Sequence, residues 1–192
     1  MTQRHALRRT PAHAPAATPR RDGVKVSTFT CEDDGVVPNN PALPVVLMAG
    51  AFECGAGAHA LMALFEANGW RRTWHYTVFD YQHYHPNAHE ALAVASGWAD
   101  IQIGGPRGDI HRVTEGDAMV LPAGTGHCRI DGRDDFSVVG GYPPGQEDRE
   151  IVRGIIQNRK DAPERIAGLA RPATDPVFGA EGPLIQAWGM PQ

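Results

Sequence analysis

Within Tyr81-Gln82-His83-Tyr84-His85-Pro86-Asn87-Ala88-His89-Glu90 the chain gathers three imidazoles and a carboxylate. On an extended strand, residues i and i+2 point to the same face, so His83 and His85 present two imidazoles side by side. Pro86-Asn87 breaks the strand and turns the chain. Glu90 then opens the next segment and can return a carboxylate to the same space. Two imidazoles and one carboxylate suit a first-row divalent metal. A fourth donor lies downstream in Pro122-Ala123-Gly124-Thr125-Gly126-His127, where the glycines permit a tight turn and a strand restarts at His127. His89 opposes Glu90 in strand parity, so it is expected beside the site as a rim residue and not as a ligand.

Such donors must be held by short strands, and the sequence supplies them. Val24, Val26 and Thr28 alternate with Lys25, Ser27 and Phe29 as an opening strand, and Pro44–Met48 reads as a second. From Ala56 to Asn68 the period becomes helical, and Asn68-Gly69 is a helix stop. Further strands are expected at Thr73–Phe79, Glu90–Ala95, Trp98–Ile103, Asp109–Val113, Asp117–Leu121, His127–Ile130 and Phe136–Val139. Glycine-rich turns separate them, as in a sandwich or barrel. Asp161–Ala170 reads as a helix with Asp161 as N-cap and Pro163 in its first turn. Leu184–Trp188 alternates like a last strand.

With spacing and elements in place, the chain resembles the cupin superfamily. The residues that carry the resemblance are His83-x-His85-x4-Glu90-x6-Gly97 and Gly116-x5-Pro122-x-Gly124-x2-His127, separated by 18 residues. The chain departs from the family pattern at Thr77, where a glycine is frequent, and at Asp131, where an asparagine is. Pro38-Asn39-Asn40-Pro41, Pro143-Pro144-Gly145-Gln146 and Asp175-Pro176-Val177-Phe178-Gly179 extend the likeness to the YjlB-like group of single-domain bacterial cupins. The resemblance implies an all-β fold, a cupin-type double-stranded β-helix or jelly roll with one or two flanking helices. It also implies a metal site of His83, His85, Glu90 and His127, and dimers, since cupins commonly dimerise.

Three imidazoles and a carboxylate exceed the three protein ligands of an open zinc site. They leave two positions free on an octahedral Fe, Mn or Ni ion, which are favoured here over Zn. Open positions favour an enzyme of oxygenase or isomerase type, acting on a small polar molecule, over a binding or sensing module that holds the same metal without turnover. Arg129, which shares strand parity with His127, is a candidate for binding an anionic substrate group, with Tyr81 and His89 as further candidates. No residue stands out as the catalytic acid or base.

Composition bounds the rest. Gly 22 and Pro 16 in 192 residues exclude a long helical bundle. No apolar run approaches the ~20 residues of a membrane helix. Residues 1–21 hold five arginines and no acid, which sets +5 on the tail against −9 on the body of a chain of net charge −4. An acidic body is a poor nucleic-acid partner. Residues 1–22 are expected to form a disordered tail, and 23–192 a single domain with its motif core at 73–142. Three cysteines without a CxxC fit a reducing cytoplasm.

Overall fold

In the computed structural model, which describes residues 16–159 and 161–189, most of the strands form close to where the apolar alternation puts them. The order is β1 (Lys25–Phe29), β2 (Val45–Ala49), α1 (Ala58–Ala67), β3 (Arg71–Tyr76), β4 (His83–Tyr84), β5 (Glu90–Ser96) and β6 (Trp98–Ile103). Then come β7 (Asp109–Thr114), β8 (Ala118–Leu121), β9 (His127–Gly132), β10 (Ser137–Tyr142), β11 (Val152–Arg153), α2 (Ala162–Ala167) and α3 (Pro183–Trp188). All strand pairs are antiparallel. One sheet runs β1-β2-β8-β5-β10-β3 and the other β11-β4-β9-β6-β7. The expected all-β jelly roll with flanking helices is the fold observed.

Side-chain period explains the layers. In β5, Leu92 and Val94 point between the sheets, where they meet Ile101, Ile103, Met119, Leu121 and Val138. Ala91 and Ala93 point to the other face, which α1 and α3 cover with Leu61, Phe65, Leu184 and Trp188. A strand buried on both faces reads as an unbroken apolar run, and Ala-Leu-Ala-Val is such a run. Glu90 shares parity with Leu92 and so enters the space between the sheets, while His89 shares parity with Ala91 and leaves it.

Three local readings differ from expectation. Leu184–Trp188 is a helix, α3, and not a strand: positions 184 and 188 share a strand face, but they are also i and i+4 of a helix, and both are buried. Pro183 in the first turn and the backbone N–H of Leu184 donating to Asp175 Oδ2 at 2.9 Å decide between the two. Asp161 precedes α2 but its side chain makes no cap hydrogen bond, because its backbone is left-handed at φ 64°. Of the expected tail, residues 1–15 lie outside the described residues. Ala17 is buried and donates its N–H to the Ala60 carbonyl, Arg20 donates to Ala51, and Pro19 bridges to Phe52. These contacts tie residues 17–20 to α1 and to the chain just after β2.

Candidate metal centre

β4 and β9 lie side by side with His83 opposite His127, and their rings are 4.1 Å apart between centroids. His85 follows β4 directly and Glu90 opens β5 of the facing sheet. The four side chains are buried, none more than 5% exposed. The turn that delivers His127 depends on Gly124, whose φ of 89° is left-handed and whose missing Cβ leaves room for Asn39 and Ile166.

Hydrogen bonds fix how each ring faces. His83 Nδ1 lies 3.1 Å from the Tyr81 carbonyl, His85 Nδ1 2.6 Å from that of Glu150, and His127 Nδ1 3.1 Å from that of Thr125. A carbonyl only accepts, so each Nδ1 carries the hydrogen and Nε2 points inward. The three inward nitrogens lie within 4.8 Å of one another. Glu90 Oε2 stands 3.3 Å from His85 Nε2 and 3.4 Å from His127 Nε2. This is a buried group of three histidines and a glutamate compatible with a metal ion.

The electrostatics follow from burial and closeness. Burial, with the neighbouring His127, pushes the His83 pKa down to about 3. Burial also opposes charge on His85, but the Glu90 carboxylate outweighs it and raises its pKa. Burial likewise opposes charge on Glu90. There His85 and His127 prevail and hold the carboxyl well below the usual carboxylate range. The group therefore favours net positive charge near Glu90 Oε2, supplied by a proton on His85 or by a cation.

The other carboxylate oxygen has its own partner. The Tyr142 hydroxyl donates to Glu90 Oε1 at 2.8 Å and accepts from Trp74 Nε1 and Arg149 Nε, each at 2.9 Å. Burial and Glu90 push the Tyr142 phenol well above its ordinary pKa. These three residues were not expected at the site. Tyr142 lies beyond the Val139 limit set for the last core strand, although it shares parity with Val138. Trp74 fits because it crosses Gly140, where a Cβ would overlap the indole. Arg149 sits on a loop with no periodic signal.

The four residues and Tyr142 open onto a cavity of about 210 Å³. Trp74, Val78, Phe79, Leu92 and Ile151 form its apolar walls. The expected substrate-binding side chains do not line it. His89 is fully buried on the other face of β5, accepts the Ala123 N–H at its Nδ1 and packs on Trp188, as parity requires. Arg129 does not line it and donates to the lining residue Thr77 at Oγ1, 3.3 Å away. Tyr81 stacks on Phe79 under the Arg153 guanidinium, and contributes its carbonyl to His83.

The chain is similar to known proteins across the segment that builds this site. The family model described as Cupin matches residues 81–144, the segment that carries all four residues of the group. YjlB of Bacillus subtilis (strain 168), an uncharacterized protein, is 36% identical over 164 residues, covering 85% of this chain and 97% of its own length. Among solved structures, a double-stranded β-helix protein from Klebsiella pneumoniae subsp. pneumoniae MGH 78578 is 16% identical, with 71% of this chain and 84% of that chain covered and a TM-score of 0.35. The oxalate decarboxylase formate complex of Lactobacillus farciminis is 13% identical, with 71% and 33% covered and a TM-score of 0.33. The near full-length match to YjlB and the family match across the histidine motifs have one reading in common: this chain belongs to the cupin family and is a YjlB-like cupin.

Proposed function

We propose that His83, His85, Glu90 and His127 bind one divalent transition metal ion, and that the chain is an enzyme acting through it on a small molecule. The observation that carries this is the fixed tautomer of all three rings. Each Nδ1–H is spent on a main-chain carbonyl, so three Nε2 lone pairs meet beside a carboxylate oxygen. Neutral imidazoles so arranged repel one another until a positive charge, a proton on His85 or a metal ion, joins them, and outward hydrogen bonds of this kind are how metal-ligating histidines are oriented. The donor set suits Fe, Mn or Ni, and Zn less well. When bound, such an ion supplies Lewis-acid polarisation or redox chemistry to a substrate of oxygenase or isomerase type. The chain's own residues hold and orient: Tyr142 keeps Glu90 turned toward the imidazoles, and the apolar walls limit water around the reacting molecule.

A binding or sensing module is the second reading, and one observation favours it. Among the described residues the cavity lining offers no carboxylate or imidazole beyond the four of the group itself. The test is elemental analysis of protein purified without an affinity chelate, followed by a substrate screen with and without the metal found. One equivalent of a transition metal, lost in His83→Ala and His127→Ala, is the expected result. A chain that takes up only traces after reconstitution would overturn the metal reading. Metal without any metal-dependent turnover moves the conclusion to the binding module.

A further inference from the structure

Arg149 is the one cationic side chain lining the cavity, and it has no anionic partner among the described residues. Its Nε donates to the Tyr142 hydroxyl and its guanidinium lies over the Tyr142 ring at 5.1 Å, which fixes the stem. The acids beside it in sequence are engaged elsewhere. Asp148 pairs with Arg72, Glu150 with Arg165, and Glu147 accepts the N–H of Gly145. The half-buried Arg149 thus lines the cavity with no acceptor for its terminal nitrogens among the described residues, and the apolar walls beside it are Trp74, Val78, Phe79, Leu92 and Ile151. A free guanidinium fork matches a carboxylate in geometry and charge. Walls made mostly of such side chains reward an apolar body, and apart from Tyr142, Arg149 and the four residues of the group the lining adds only the hydroxyls of Tyr76 and Thr77. At about 210 Å³ the space is smaller than the pockets of drug-sized ligands.

We infer that the cavity takes a small carboxylate with an apolar or aromatic body, its carboxylate held by Arg149. The inference rests on the proposed function in taking this cavity as the substrate site, and it replaces the expected small polar substrate with an amphiphilic one. Arg149 is thereby a specificity-determining residue two hydrogen bonds away from Glu90, linked through Tyr142.

The test uses benzoate as probe, with benzamide as the uncharged isostere and gluconate as the polar carboxylate. Binding is followed by isothermal titration calorimetry on the full chain, as isolated and after metal stripping, with metal content measured on each sample. Benzoate is expected to bind about tenfold or more tighter than either control. Arg149→Met and Arg149→Gln are expected to abolish the preference for benzoate over benzamide while metal content stays the same. Equal binding of benzoate and benzamide, tighter binding of gluconate, or no saturable benzoate binding by the unaltered chain overturns the inference without need of any variant. A benzoate preference that survives both variants but vanishes on metal stripping also overturns it, and leaves the metal centre standing. A preference present in metal-free protein and lost in both variants supports Arg149 even if the metal reading fails.

Discussion

A single hydroxyl joins the two halves of the site. Tyr142 OH donates to Glu90 Oε1 and takes N–H groups from Trp74 and Arg149, so all of its hydrogen-bonding capacity is used. Removing it with Tyr142→Phe leaves the carboxylate without its outer partner, and the part-buried Trp74 N–H without an acceptor. Outer partners of metal ligands are worth roughly 10–100-fold in metal affinity. A loss of about tenfold is expected in a metal-competition titration, with cooperative unfolding retained. Unchanged affinity would show that Glu90 needs no outer support. Cys31 gives a second check at this scale. Burial, and then the Asp109 charge, push its thiol up to about 11. The thiolate is the reactive form, so at pH 8 only about one molecule in a thousand carries it. Iodoacetamide labelling of Cys31, followed by mass spectrometry, is expected to stay slow at pH 8 and to speed up toward pH 10–11. Rapid labelling at pH 7 would contradict the burial.

Among the elements, α3 depends on one buried carboxylate. Asp175 Oδ1 accepts the N–H groups of Val177 and Phe178 at 2.8 and 2.9 Å, and Oδ2 accepts that of Leu184 at 2.9 Å. Asp175 is fully buried, and burial raises its pKa although three donors oppose the shift. Asp175→Ala strands three N–H groups, two of them buried, and is expected to cost about 3 kcal/mol or more. For a chain of this size that is a fall in Tm of roughly 6–12 °C. Metal content should not change, because α3 covers the outer face of the six-stranded sheet. A fall under about 2 °C would mean the turn is held by packing alone. This segment also shows where sequence reading stops. The strands from β5 to β9 were legible because alternation, glycine turns and motif spacing agreed. The same parity separated Glu90 from His89. The Leu184–Trp188 pattern fits two periods, and only the distant Asp175 and Pro183 choose between them. Tyr142, Trp74 and Arg149 reach the site through cross-strand and loop contacts, which leave no local mark in the sequence.

At the scale of the whole molecule, the proposed ion would tie the two sheets together. His83 and His127 belong to the five-stranded sheet and Glu90 to the six-stranded one. A ligand that binds only the folded state at a hundred times its Kd adds about 2.7 kcal/mol, or roughly 5–10 °C of Tm at this size. The size of that shift should depend on pH. In the metal-free protein His85 has a raised pKa because its proton faces Glu90. A raised folded-state pKa gives stability that is fully present below the unfolded value near 6.5 and is lost as pH rises through the folded value. The metal needs the same nitrogen without its proton. As pH rises above about 6.5 through that folded value, the metal-free Tm contribution of His85 therefore declines while metal affinity rises. Below about pH 6.5 the order reverses for His83, whose pKa is held down to about 3: a depressed value favours unfolding as pH falls. The difference in Tm between metal-loaded and EDTA-treated protein is thus expected to widen from pH 6.5 to 8. His85→Gln, which has no proton to displace, should flatten the pH dependence even where it weakens binding. A gap that is constant across this window in the unaltered chain would show that His85 does not exchange a proton for the metal.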